Sequence, residues 1–292
     1  MTNRPLDDLF TFPVVLDGAW GTELQAQGLA PGECPDAWNL EHPECVEAVG
    51  RAYVEAGSQI ILTNTFGASR PALQRYGLAD RMREVNRAGA RASLTAAAGR
   101  ARVFASMGPT GKLRATGEIT DGELRAAFAE QARALAEEKI DGIVLETFSD
   151  LDEARLALVA AKTTGLPVVA CMVFDSGKGR DRTMMGVTPE QAAQTLTEAG
   201  ADAIGANCGR GIESFLPLCQ RLAAATPRPI WLKPNAGLPR LVDGRTVYDT
   251  QPEQLASAAR ALVAAGASFV GACCGSNPAF IAALARELGS VR

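Results

Sequence analysis

Cys273 and Cys274 stand side by side just past an apolar run at residues 268–272, and Cys208 follows an earlier run in the same way. Three thiolates at strand ends can hold one soft or borderline metal ion and leave a fourth position open to substrate. The register supports this reading. Residues 198–207 and 264–273 are alike in sequence, and eight residues on from Gly200 and Gly266 stand Cys208 and Cys274. Zn2+ is the ion that such a donor set prefers. With three thiolates the site carries a net charge near −1, so it is a poor Lewis acid for water. It keeps a bound thiol deprotonated near neutral pH, where a free thiol of pKa ~8.5 is mostly protonated. Alkyl transfer to a thiol is the reaction class this favours. The plainer alternatives are buried small hydrophobes or a redox pair. Cys171, midway along a run, reads as packing, and Cys34, Cys45 and Cys219 have no evident partners.

Carboxylates stand at equivalent places. Asp17-Gly18 ends the first apolar run and Glu146 the fourth. Two carboxylates at one rim could take an ammonium through charge-assisted hydrogen bonds. Backbone N–H groups in the turn at residues 18–22 could take a carboxylate. The pair would then recognise an amino acid whose side chain is a thiol. A turn-forming aspartate and a helix-capping glutamate are the alternatives.

Composition narrows the field. The 292 residues are 47% hydrophobic and 21% charged with net charge −4, the proportions of a soluble globular chain. No basic tract points to nucleic acid, and no apolar run of ~18 residues points to a membrane span. Asp7 and Asp8 interrupt the start of the chain, so no signal peptide is expected and a cytoplasmic location follows. Seven cysteines is an odd count, and the adjacent pair is too close for ordinary disulfide geometry. The single histidine, His42, excludes histidine-rich metal sites.

Eight apolar, β-branched-rich runs must position these groups: residues 14–18, 59–64, 103–107, 142–146, 167–174, 202–206, 229–233 and 268–272. Their near-continuous apolarity predicts strands covered on both faces. Helical patterns lie between them. Residues 44–56 place Val46, Val49, Tyr53 and Ala56 on one face. Thr188-Pro-Glu-Gln191 and Thr250 with Glu253 read as capping boxes, and Asn277-Pro278 opens the last helix. Gly57, Gly200 and Gly266 fit left-handed helix ends. Eight such units without a linker predict one α/β domain over residues 1–292, a single (β/α)8 TIM barrel. The active site of that fold lies at the C-terminal ends of the strands, where the cysteines and carboxylates stand.

The motifs Asp17-Gly-Ala-Trp-Gly-Thr22, Thr63-Asn-Thr-Phe66, Glu146-Thr-Phe148, Gly205-Ala-Asn-Cys-Gly209 and Gly271-Ala-Cys-Cys-Gly275 resemble the homocysteine S-methyltransferase family, in order and over nearly the whole chain. That family includes the homocysteine-binding module of cobalamin-dependent methionine synthase, betaine–homocysteine methyltransferases and S-methylmethionine-dependent enzymes. The resemblance implies Zn2+ on Cys208, Cys273 and Cys274, with homocysteine sulfur as the incoming ligand. It implies the amino group on Asp17 and Glu146, the carboxylate near Gly18, and Asn64 and Asn207 as pocket residues. Trp20 stands where methionine synthases commonly have methionine; it reads as a wall near the donor or as a core aromatic. Thr147 stands where betaine enzymes commonly carry tyrosine, which weakens betaine as the donor. The chain length leaves no room for folate, cobalamin and activation modules. A stand-alone methyltransferase making methionine from homocysteine and a small sulfonium donor is therefore expected. A separate methylcobalamin (corrinoid) protein or betaine is the alternative methyl source. Gly77-Leu78 and residues 112–121 are candidates for shaping the donor site. Two rivals remain: an aldolase-type barrel with Lys233 as a Schiff base, and a non-catalytic zinc and thiol sensor or subunit.

Overall fold

The computed structural model describes residue 6, residues 10–242 and residues 245–289. All eight expected strands form: β1 (Val14–Val15), β2 (Ile60–Leu62), β3 (Arg102–Met107), β4 (Gly142–Phe148), β5 (Val168–Met172), β6 (Ala203–Cys208), β7 (Ile230–Pro234) and β8 (Ala267–Val270). They pair in parallel in the order β1-β8-β7-β6-β5-β4-β3-β2. A parallel bridge from Leu16 to Ile60 joins β1 to β2. The result is a (β/α)8 TIM barrel.

Alternation along the strands explains where the site falls. Val14, Phe104, Val144, Val169, Trp231 and Phe269 meet in one buried cluster that plugs the barrel. Side chains two residues further along a strand point the same way. That step leads from Phe104 to Ser106, from Val144 to Glu146 and from Trp231 to Lys233. The inward rows thus turn from apolar to polar as they approach the C-terminal rim. Gly205 makes room for this packing, since a Cβ there would lie 2.1 Å from the Trp231 carbonyl oxygen.

The helices form a second shell of apolar contacts around the barrel. The helix Pro43–Glu55 buries Val46, Val49 and Tyr53. Thr188 and Gln191 form the expected capping box on Pro189–Glu198, and Asn277 caps Pro278–Glu287. Gly57, Gly200 and Gly266 take φ of +106°, +94° and +108°. One expectation is corrected. The helix Pro252–Ala264 is capped by Gln251 with Gln254, not by Thr250 with Glu253. Pro252 takes the first helical position, which moves the cap to the residue before it. Thr250 instead donates its N–H to the Ala236 carbonyl. An antiparallel ribbon, Arg240–Val242 with Arg245–Val247, interrupts the connection from β7 to that helix. Among the described residues, no helix is long and apolar enough to cross a membrane.

Candidate active site at the barrel mouth

β6 ends in Cys208, and the segment after β8 supplies Cys273 and Cys274. That segment stays beside β7 because Gly271 N–H donates to the Leu232 carbonyl and Cys273 N–H to the Pro234 carbonyl. Cys208 Sγ and Cys273 Sγ lie 3.0 Å apart, and Cys273 Sγ and Cys274 Sγ 4.0 Å apart. All three sulfurs fall within 4.8 Å of one another. A tetrahedral zinc with Zn–S bonds of about 2.3 Å needs S···S separations of about 3.8 Å; the Cys273–Cys274 pair lies near that value, and the Cys208–Cys273 pair would have to open by about 0.8 Å to reach it. A disulfide needs about 2.05 Å, and all seven cysteines are free thiols. The donor chemistry fits as well. Hydrogen bonds from Cys208 and Cys273 lower the Cys274 pKa. Donating to Cys273 and Cys274, together with burial, drives Cys208 well up. Hydrogen bonding within the cluster thus favours ionisation at Cys274 over Cys208.

Asn207 braces this cluster. Its Oδ1 accepts from Thr147 N–H at 2.7 Å, and its Nδ2 donates to Thr147 Oγ1 at 2.6 Å and to Cys208 Sγ at 3.5 Å. Thr147 and Cys208 both have left-handed backbone, with φ of +65° and +60°. A β-branched residue there is strained, and the two bonds from Asn207 hold it in place. The turn directs the ends of β4 and β6 towards the same cavity.

That cavity, of about 680 Å3, is lined by the three cysteines, Glu146, Lys233 and Trp20, among others. A larger cleft of about 870 Å3 adjoins it across Pro239 but lacks the cysteines. The chemistry therefore belongs to the smaller cavity. Glu146 is 9% exposed and is hydrogen-bonded through Oε1 to the Ser106 hydroxyl. Burial pushes its carboxyl up to about 7, while Lys233 pulls it down.

Asp17 has other partners. It is fully buried. Its Oδ1 accepts from Lys233 Nζ at 2.5 Å, and its Oδ2 from Leu62 N–H at 2.7 Å and Trp20 Nε1 at 2.8 Å. The two carboxylates expected at one rim thus differ in their partners, Glu146 having Ser106 as its one hydrogen-bond partner among the described residues. Asp17 instead ties together the ends of β1, β2 and β7. Burial opposes the Lys233 charge, yet Asp17 and Glu146 outweigh it and leave the pKa raised. Such an ammonium is a poor Schiff-base nucleophile, which removes the observation behind the aldolase reading.

The remaining expected residues divide. Asn64 lines the cavity, with its Nδ2 donated to the Pro35 carbonyl and Asn39 Oδ1. Gly18 lies under Tyr53 and Ser276, where a Cβ would approach their hydroxyls to 2.7 and 2.8 Å. The next N–H, of Ala19, already donates to Ser276 Oγ. Trp20 is both wall and strut. Arg75, Tyr76 and Phe66 line the cavity, whereas Gly77, Leu78 and residues 112–121 do not. No local signal pointed to Asp36, a buried wall residue whose Oδ1 accepts from Gly67 N–H at 3.0 Å. Burial pushes its carboxyl up to about 7.

Fold and site together define a (β/α)8 barrel with a cluster of three cysteines that could hold a metal ion at its C-terminal mouth. The family model described as homocysteine S-methyltransferase matches residues 14–288, and the chain belongs to that family. It is 32% identical over 307 aligned residues to the methionine synthase of Mycobacterium tuberculosis (strain ATCC 25618 / H37Rv), a match spanning 98% of this chain and 25% of the relative. The methionine synthase of Mycobacterium leprae (strain TN) is 30% identical, over 94% of this chain and 24% of its own length. The chain thus spans about a quarter of the length of these relatives. The metallated form of the homocysteine methyltransferase MmuM from Escherichia coli superposes with a TM-score of 0.80 at 24% identity, covering 96% of this chain and 99% of that one. Its oxidized form gives 0.80, covering 97% and 99%. At that identity the likeness concerns fold.

Proposed function

We propose that this chain transfers a methyl group from a small sulfonium donor to the sulfur of homocysteine, giving methionine. The observation that carries the reading is the convergence of Cys208, Cys273 and Cys274 on one point of a cavity walled by a free buried carboxylate, Glu146. A zinc ion held by those cysteines would keep a thiol ionised and nucleophilic near neutral pH. The protein supplies alignment and shelter. Glu146 accepts from the α-ammonium. Asn207 fixes Thr147 and Cys208, and the cavity holds both reactants so that attack is in line. The new S–C bond forms as the donor's S–CH3 bond breaks, and the electron pair returns to the donor sulfur, which leaves as a neutral thioether. The thiol set must stay reduced for this chemistry, which suits the cytoplasm.

A second methyl source has one observation in its favour. The curated relatives are methionine synthases about four times as long, and Phe66, Met184, Met185 and Leu238 are exposed on strand-end loops. A methylcobalamin carrier could approach there.

A donor screen tests the reading. Zinc-loaded protein is incubated with homocysteine and separately with S-methylmethionine, S-adenosylmethionine, betaine, methylcobalamin and methyltetrahydrofolate. Methionine should form with a sulfonium compound, and Cys208→Ala and Cys273→Ala should lose both metal and activity. Full turnover in either variant without metal would exclude the mechanism. Homocysteine binding with no turnover from any donor would favour a thiol sensor.

A further inference from the structure

The larger cleft, of about 870 Å3, has no task in the reaction as described. Loops at the C-terminal ends of β5, β6 and β7 enclose it together with the helix Phe215–Ala225. Its size is that of a small-molecule site. Pro217, Leu238 and Pro239 give it apolar wall, and Leu238 is 50% exposed. The charges around it fall into two groups. Arg221 is taken by Asp181 and Glu190, and Arg240 by Asp249, whereas Arg180 and Arg210 form no ion pair among the described residues. Against those two guanidinium groups the lining sets one unpaired carboxylate, Glu213. The chain as a whole carries a net charge of −4, so a cleft whose unpaired charge is positive runs against its own background. The backbone adds a donor. Gly211 and Gly237 have φ of +137° and +91°, and a Cβ on Gly211 would lie 3.2 Å from Gly237 Cα. Glycine at both places lets the loops after β6 and β7 meet closely, and the Gly237 N–H makes no hydrogen bond among the described residues. Two planar guanidinium forks and a bare N–H around one cleft suit phosphate or carboxylate oxygens.

We infer that this cleft is a second binding site, for a small organic dianion (a phosphate monoester or a dicarboxylate with an apolar body). Arg180 and Arg210 hold its charge, and Leu238 with its neighbouring prolines covers its body. The site is separate from the cysteine cavity and does not depend on the methyl-transfer reading. The rival is that both arginines are solvated surface charges that hold nothing.

Phenyl phosphate and benzylsuccinate probe the two sources of charge, and benzyl alcohol is the neutral control. Calorimetry on zinc-loaded protein reads dissociation constants for wild type, Arg180→Gln, Arg210→Gln and Arg75→Gln. Arg75 lines the cysteine cavity instead and reports binding there. At least one dianion should bind wild type with a Kd of about 1 mM or tighter, and benzyl alcohol about 10-fold more weakly or not at all. Arg180→Gln and Arg210→Gln should each weaken that dianion about 5- to 20-fold, and Arg75→Gln by less than about twofold. The preferred probe identifies the source as phosphate or carboxylate. Saturating homocysteine should leave the Kd within about twofold, as for independent sites. Both arginines are exposed, and thermal unfolding checks that each variant keeps its fold. The assignment is overturned if neither dianion binds wild type up to about 10 mM, if Arg75→Gln loses as much affinity as the other two variants, or if homocysteine displaces the probe. None of those outcomes touches the proposed methyl transfer, which uses the other cavity.

Discussion

Asn207 and Thr147 show how much of the site depends on side chains beyond the three cysteines. Thr147 holds a left-handed backbone, and Asn207 binds both its N–H and its hydroxyl while reaching Cys208 Sγ. Asn207→Ala should weaken zinc about 10- to 100-fold, the usual cost of removing a ligand's support, as read by chelator competition. Glu146→Gln should keep the metal and raise the homocysteine KM by about 10- to 100-fold, with a smaller change in kcat. Asp36 yields a stability prediction. Burial raises its folded pKa to about 7, above an unfolded value of about 3.9. Between those values the folded chain holds a proton that the unfolded chain has lost. Its contribution to stability is therefore present below about pH 4 and lost as pH rises through about 7. Asp36→Asn should match wild type near pH 4. At pH 8 it should be more stable by on the order of 2–4 kcal/mol, measured by urea unfolding at both pH values.

At the scale of elements, the strands determine which residues reach the site by their parity. Gly205 on β6 faces inward beneath Trp231 and Cys171, where a Cβ would meet the Cys171 sulfur at 2.7 Å and the Trp231 carbonyl oxygen at 2.1 Å. Backbone cannot yield as a flexible side chain does. Gly205→Ala should thus cost about 3 kcal/mol or more and lower zinc affinity as well, because Asn207 and Cys208 follow on the same strand. Unfolding in urea and zinc titration would read the two effects. Gly275 is held in the same way, with φ of +82° and the Tyr248 ring against it, so Tyr248 forms a fixed wall of the cavity.

For the whole molecule, the metal would link segments distant in sequence. Cys208 and Cys273 are 65 residues apart and stand on opposite sides of β7. Anything that binds the native chain and not the unfolded one stabilises it by mass action. Zinc at about a thousand times its dissociation constant should add about 4 kcal/mol and raise Tm in calorimetry. A chelator should reverse the shift, and Cys208→Ala should show none.

The sequence by itself determined the barrel, its eight strands and three cysteines in equivalent register, because apolar periodicity, glycine helix ends and internal likeness are local properties. It also carried the family, through motifs that lie at strand ends. The cap before residue 252 falls one position later than the threonine suggests, because the proline sets the boundary. The sequence also left Asp17 and Glu146 equivalent, two carboxylates at one rim. The tertiary structure separated them. It placed the Lys233 ammonium, 216 residues away in sequence, on Asp17 and left Glu146 facing the cavity. The partner of a buried charge is decided by which strands close the barrel side by side, and that information is held in long-range packing rather than in any local stretch of residues.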